Sequence, residues 1–230
     1  MSQAASDIRT QSEPLPAPSI VIEWENAVLS EAARANRMLE QLESQLSDLG
    51  PLLDTPEVLV LFDPEDIDHD QLRDVLETHL CKDGADQFEE ELISSPDAAY
   101  YEQKNHGAER ARNEVLVFLD SDAIPEDGWL EALLSPFREQ ETLVVAGHTY
   151  MIDSSVYEAA FKYFWFFPTR EQGPGNGFFA NNVAFRRETF LRYTFPEAET
   201  FRGQCRQLAT SLEQDGIVIH HQSAAVCSHP

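Results

Sequence analysis

A chain of 230 residues with an ordinary apolar share of 42% is long enough for one substantial α/β domain with its own core. Its 41 acidic and 16 basic residues give a formal charge of −25, which argues against nucleic-acid binding, since that needs a basic footprint. Apolar runs such as Val115–Leu119 and Phe161–Phe167 fall far short of the roughly 20 residues that a membrane-spanning helix requires.

Met1 to Pro18 has no basic segment ahead of an apolar one, so no secretory signal is read. Residues 1–17 are expected to form a disordered tail, and the rest a soluble domain in the cytoplasm or at the cytoplasmic membrane face. Pro18–Trp24 has the β-branched content of a buried strand. The apolar stripe of Ala35, Met38, Leu39, Leu42, Leu46 and Leu49 predicts one long helix from about Ala27 to Leu49, ended by Gly50-Pro51. Glu57–Phe62 reads as a second strand, and Asp68 or Asp70 caps a helix carrying Leu72, Val75, Leu76 and Leu80. A third strand is expected over 87–93. Glu114–Leu119 is the best strand of the chain and runs directly into Asp120-Ser121-Asp122. A helix from Gly128 to Leu134 and a strand from Thr142 to Ala146 follow. Beyond residue 150 come an aromatic stretch (Tyr157–Phe167, with Trp165), a glycine-rich loop (Gln172–Gly177) and a short strand (Asn182–Phe185). A helix over Gly203–Gln214 and strand-like Ile217–His220 complete the pattern. The alternation of strands and helices implies a mostly parallel sheet flanked by helices.

Charge is unevenly spread: residues 1–150 carry 33 acidic and 9 basic side chains, residues 151–230 carry 8 and 7. A diphosphate entering the acidic half would need a divalent cation. The acidic excess with only three lysines fits a protein that stays soluble at high salt, and equally a merely acidic one. Cys81, Cys205 and Cys227 lack the paired spacing of a zinc site and read as free thiols.

In parallel α/β sheets, ligands bind beyond the carboxyl ends of the strands. Glu23 or Glu25, Asp63, and the pair Asp120 and Asp122 fall there. Two carboxylates one residue apart suit a hard cation such as Mn²⁺ or Mg²⁺, although Asp-X-Asp is also a common turn.

The segment Lys104-Asn-His-Gly-Ala-Glu-Arg-Ala-Arg112, then Glu114–Asp122, Pro125 and Gly128-Trp-Leu130, resembles the family 2 glycosyltransferases of the GT-A fold. There an Asn-X-Gly-X-X-X-Ala-Arg segment precedes the Asp-X-Asp strand. Weaker similarity at Pro18–Asn26, Phe179–Arg187 and Gly216–His229 extends the match over residues 18–230. The resemblance implies a GT-A-type nucleotide-binding sandwich, with 18–150 as the nucleotide-sugar half and 151–230 as the acceptor half. It implies inverting, metal-dependent transfer from a UDP- or GDP-linked sugar to a carbohydrate, lipid or protein acceptor. By the same resemblance Asp63 would bind the nucleobase, Asp120 the ribose or metal, Asp122 the metal, and His229 the metal or diphosphate. Asn26, Lys104 and Asn105 would serve the donor site, with Arg110 and Arg112 beside them unless that helix face is only solvated. Asn181 and Asn182 would orient sugar hydroxyls, and Trp165 would stack on a sugar or pack in the core.

Two departures stand out. Glu23-Trp-Glu-Asn26 replaces the family's Pro-Thr-X-Asn, keeping only Asn26. Gln204-Cys205 occupies the place of the acidic pair that supplies the general base, which leaves Glu197 and Glu199 as the nearby carboxylates. A catalytically silent nucleotide-sugar-binding domain is therefore a second reading. A nucleotidyltransferase is a third, but Ile20–Asn26 offers no glycine-rich phosphate loop. The abrupt end at His229-Pro230 suggests the soluble piece of a longer protein.

Overall fold

The computed structural model describes residues 14–81, 87–151, 177–197 and 203–229. Strands β1 (Pro18–Glu23), β2 (Glu57–Phe62) and β4 (Val115–Asp120) are short apolar runs buried at every position, so they form the centre of a sheet covered on both faces. With β3 (Glu89–Ser94), β5 (Ile124–Pro125), β6 (Val144–Met151), β7 (Asn182–Arg186) and β8 (Ile219–His229) they make one eight-stranded sheet in the order β3-β2-β1-β4-β7-β6-β8-β5. The β1–β2, β1–β4, β2–β3 and β6–β8 pairings are parallel. The β4–β7, β6–β7 and β5–β8 pairings are antiparallel, so the sheet is mixed with a parallel majority.

Helices α1 (Glu25–Leu29), α2 (Ala32–Leu49), α3 (His69–His79) and α5 (Trp129–Leu134) belong to one side. Met38, Leu42, Leu72, Trp129 and Leu133 pack there on Ile20, Ile22, Val58, Val117 and Leu119. Helices α4 (Tyr100–Arg110), α6 (Arg187–Tyr193) and α7 (Gln204–Gln214) cover the other, where Tyr100, Ala108, Phe190 and Leu208 meet Val21, Leu59, Phe118 and Phe185. Alternate residues of each strand thus feed opposite cores, the period-two rule of a pleated strand.

The helix foreseen over Ala27–Leu49 is two, broken at Ser30 and Glu31, whose backbones are extended. The sequence has no breaker there; the cause is tertiary, because α1 and α2 are each tied to the Asp120–Asp122 turn by a different contact. The strand foreseen over Ile217–His220 continues to His229. The segment containing Lys104 to Arg110 is helical. Among the described residues, no helix is long and apolar enough to cross a membrane. The expected tail (residues 1–13 of it), the aromatic stretch with Trp165, the glycine-rich loop up to residue 176, and Glu199 lie outside the described residues.

Candidate functional site

Strand β4 delivers Asp120 at the carboxyl edge of the parallel strands, in register with Glu23 of β1. The chain then turns, Ala123 N–H donating to Asp120 O at 3.1 Å, which brings Asp122 back beside Asp120. All three residues of the turn are buried. Ser121 faces inward and its Oγ accepts from Ala27 N–H at 2.8 Å, fixing α1 to the turn. Arg34 of α2 donates from Nε to Asp122 O at 2.5 Å and from Nη2 to Ser228 O at 2.7 Å. One guanidinium therefore joins the turn to the end of β8, where His229 Nε2 stands 3.5 Å from Asp122 Oδ1.

Beneath Asp120 lies a buried cation. Lys104 Nζ donates to Asp120 Oδ1 at 2.7 Å, and Tyr100 O–H donates to the same oxygen at 2.7 Å. The ammonium also sits 4.7 Å from the centre of the Tyr100 ring. Gly107 makes this approach possible: a Cβ there would meet Val21 Cγ1 at 2.4 Å and Leu61 Cδ1 at 2.8 Å. Without a side chain at that position α4 lies against β1 and β2, and Lys104 reaches the turn.

Glu23 is fully buried and accepts from Asn26 N–H at 3.1 Å and Asn26 Nδ2 at 2.9 Å. Burial, and then the charge of Asp120, push its pKa well above the ordinary glutamate value. Burial likewise raises Asp122, with His229 and Arg34 opposing and Asp120 adding to the rise. Glu25 is raised by burial and by Asp66 and Asp120, and its buried Oε2 has no hydrogen-bond partner.

The structure brings together Asn26, Lys104, Asp120, Asp122 and His229. The other expected site residues make different contacts. Asp63 Oδ1 accepts from Glu65 N–H at 2.8 Å and Oδ2 from Asp97 N–H at 2.9 Å, so both oxygens brace loops, including Asp97 at φ 57°. Asn105 closes a reciprocal pair with the backbone of Phe195, at 2.9 and 3.0 Å. Arg112 stands at the opposite, amino-terminal edge of the sheet, paired with Glu57 and Glu89, and Arg110 with Glu91. A groove of about 530 Å³ beside Arg112 is lined also by Glu114, Arg186 and Arg187, remote from Asp120 along β4. Asn181 Oδ1 accepts from Thr149 Oγ1 at 3.1 Å. Asn182 Oδ1 accepts from Trp129 Nε1 at 2.8 Å, and its Nδ2 donates to Ala225 O and His148 O at 3.0 and 3.2 Å. Glu197 is exposed on the loop after α6.

Cys205, at the start of α7, lies 3.4 Å from the Tyr101 hydroxyl, and burial pushes its thiol up to about 11. A neutral thiol is no base toward a sugar hydroxyl near pH 7. Arg34 and Tyr100 were not legible as site residues. An Arg in the first turn of an amphipathic helix looks solvated, and only the spacing of Tyr100 one turn before Lys104 hints at a shared face.

Asp120, Asp122 and His229 present a donor set for a divalent cation. One ligand atom each of Asp120, Asp122 and His229 lies within 4.8 Å of the others. Asp122 Oδ1 is buried, has His229 Nε2 3.5 Å away and makes no hydrogen bond, an arrangement that a cation between the two would complete. Two carboxylates and an imidazole suit a hard or borderline ion such as Mn²⁺. The residues fit.

A family model described as glycosyl transferase family 2 matches residues 55–195. A glucosyl-dolichyl phosphate glucuronosyltransferase of Haloferax volcanii is 26% identical over 97 residues, which cover 38% of this chain and 31% of that protein. Among solved structures, the mannosyltransferase PcManGT from Pyrobaculum calidifontis, in complex with GDP-Man and Mn²⁺, superposes with a TM-score of 0.65 at 20% identity, over 94% of this chain and 57% of that one. GalNAc-T7 with UDP, GalNAc and Mn²⁺ gives a TM-score of 0.65 at 12% identity, over 99% and 47%. The chain thus spans about a third of the first relative and about half of the two structures.

Proposed function

This chain belongs to glycosyl transferase family 2, and on that premise we propose that it transfers a sugar from a UDP- or GDP-linked donor, with inversion, using a divalent cation. The observation that carries the reading is the convergence of Asp120, Asp122 and His229 at the carboxyl edge of β4, with the buried Asp122 Oδ1 making no hydrogen bond. The nucleotide ligands of the two structural neighbours, GDP-Man and UDP, support the donor class.

Asp120, Asp122 and His229 would hold the cation, Mn²⁺ or Mg²⁺. When bound, such an ion neutralises a diphosphate and stabilises it as a leaving group. Lys104 and Tyr100 both donate to Asp120 Oδ1 and so hold that carboxylate in place at the turn. Arg34 keeps Asp122 and the end of β8 in one frame. Glu23 fixes Asn26 where the nucleoside would enter. The acceptor proton would pass to Glu197 or Glu199, since Gln204 and Cys205 supply no base. Residues 151–230 would form the acceptor half.

Release of nucleoside diphosphate from UDP-glucose, GDP-mannose and related donors tests the reading, with and without Mn²⁺. Turnover that needs the ion and is lost in Asp122→Ala supports it. Metal-independent turnover that survives the substitution contradicts it.

A further inference from the structure

Strands β6 and β8 pair in two registers. Val144, Val145 and Ala146 face Ile219, His220 and His221; His148 to Met151 then face Val226 to His229. Between these blocks β6 advances two residues, from Ala146 to His148, while β8 advances five, from His221 to Val226. The bulge absorbs three extra residues. An odd insertion exchanges the faces of a strand, because side chains alternate with period two. The packing records the exchange: Ile219 belongs to the core under α4, α6 and α7, whereas Ala225 and Cys227, also odd-numbered, belong to the core under α2, α3 and α5. His229 has their parity. In the first register it would face the other side and overshoot Met151 by three residues.

One buried side chain bridges the two strands at the bulge. Asn182 is 1% exposed, and its Nδ2 donates across it to His148 O on β6 and Ala225 O on β8. Trp129 Nε1 fixes which way the carboxamide points by donating to its Oδ1. Opposite stands Gly147, inside the register shift, where a Cβ would fall 2.1 Å from Asn182 Oδ1 and 2.4 Å from Nδ2. A carboxamide with all its principal hydrogen-bonding capacity committed to one core indole and two strand carbonyls is a register pin. It has little left to offer a sugar.

We propose that Asn182, seated against Gly147, is a positioning residue that sets the second register of β8 and thereby delivers His229 to Asp122. The inference rests on the reading that Asp120, Asp122 and His229 share a cation. In Asn182→Asp the Trp129 acceptor survives and both strand-carbonyl donors are lost. In Gly147→Ala the new methyl displaces the carboxamide.

The test is pulsed electron paramagnetic resonance of Mn²⁺ bound in the presence of UDP or GDP, with Mn²⁺ affinity measured by titration. Wild type gives ¹⁴N modulation from a coordinated imidazole, absent in His229→Ala. Both Asn182→Asp and Gly147→Ala, each checked for native circular dichroism, lose that modulation, and their affinity falls about tenfold, within the range of lost outer contacts at metal sites. A purely structural role would lower the melting temperature and leave the modulation in place. Either folded variant retaining the ¹⁴N signal at wild-type affinity overturns the inference. Wild type binding Mn²⁺ without nitrogen coupling overturns instead the assignment of His229 as a ligand, so the two failures are separable.

Discussion

Lys104 Nζ lies 2.7 Å from Asp120 Oδ1, with the lysine 0% and the aspartate 3% exposed. A buried ion pair adds little over an apolar pair of similar shape, but removing one partner strands the other charge. In Lys104→Met the Asp120 carboxylate loses its buried cation and keeps the Tyr100 hydroxyl, so urea unfolding is expected to show a loss of about 3–5 kcal/mol. Adding Asp120→Asn to that variant removes the stranded charge and restores part of the loss. A single-variant cost below about 1 kcal/mol, the range of an exposed pair, would mean that the two charges are not coupled as described.

Gly107 sets how closely α4 lies on the sheet. Its substitution by Ala puts a methyl 2.4 Å from Val21 Cγ1, inside a core where overpacking costs typically about 1–3 kcal/mol. Gly107→Ala is expected to fall in that range by chemical denaturation and to weaken Mn²⁺ binding as Lys104 and Tyr100 move with the helix. Unchanged stability would show that the helix has slack at this crossing.

The sequence made the centre of this sheet legible because β1, β2 and β4 are short continuous apolar runs bounded by turns. Asp120 and Asp122 were legible for the same reason, since they end the best of those runs. Lys104 stands out in the sequence as a donor-site residue, but its burial against Asp120 becomes visible only in the fold. Asn105 and Arg112 belong to the same motif, and the fold gives them contacts the motif does not announce, one with Phe195 and one with Glu57 and Glu89. The break between α1 and α2 was hidden because its causes, Ser121 Oγ and Asp122 O, lie about 90 residues downstream. The length of β8 was hidden because its bulge interrupts the alternation by which a strand is recognised.

Glu57 provides an acid-limb prediction at the far edge of the sheet. Burial opposes its charge, but hydrogen bonds from Ser19 and from the backbone and guanidinium of Arg112 outweigh that and hold its pKa below 4.5. A carboxyl depressed in the folded state contributes stability that is complete above its unfolded pKa and is lost as pH falls through the folded value. Wild type should therefore lose this contribution from about pH 4.5 downward, and Glu57→Gln should lack that part of the acid limb in urea midpoints between pH 7 and 3. Parallel curves for the two proteins would exclude the linkage.

The central claim is that Asp120, Asp122 and His229 hold a divalent cation for a nucleotide diphosphate. Calorimetric titration of UDP and GDP, with and without Mn²⁺, on wild type and Asp122→Ala tests it most directly. The account predicts binding of at least one nucleotide that depends on Mn²⁺ and disappears in the variant. Binding that is indifferent to Mn²⁺ and to the loss of the Asp122 carboxylate would contradict it.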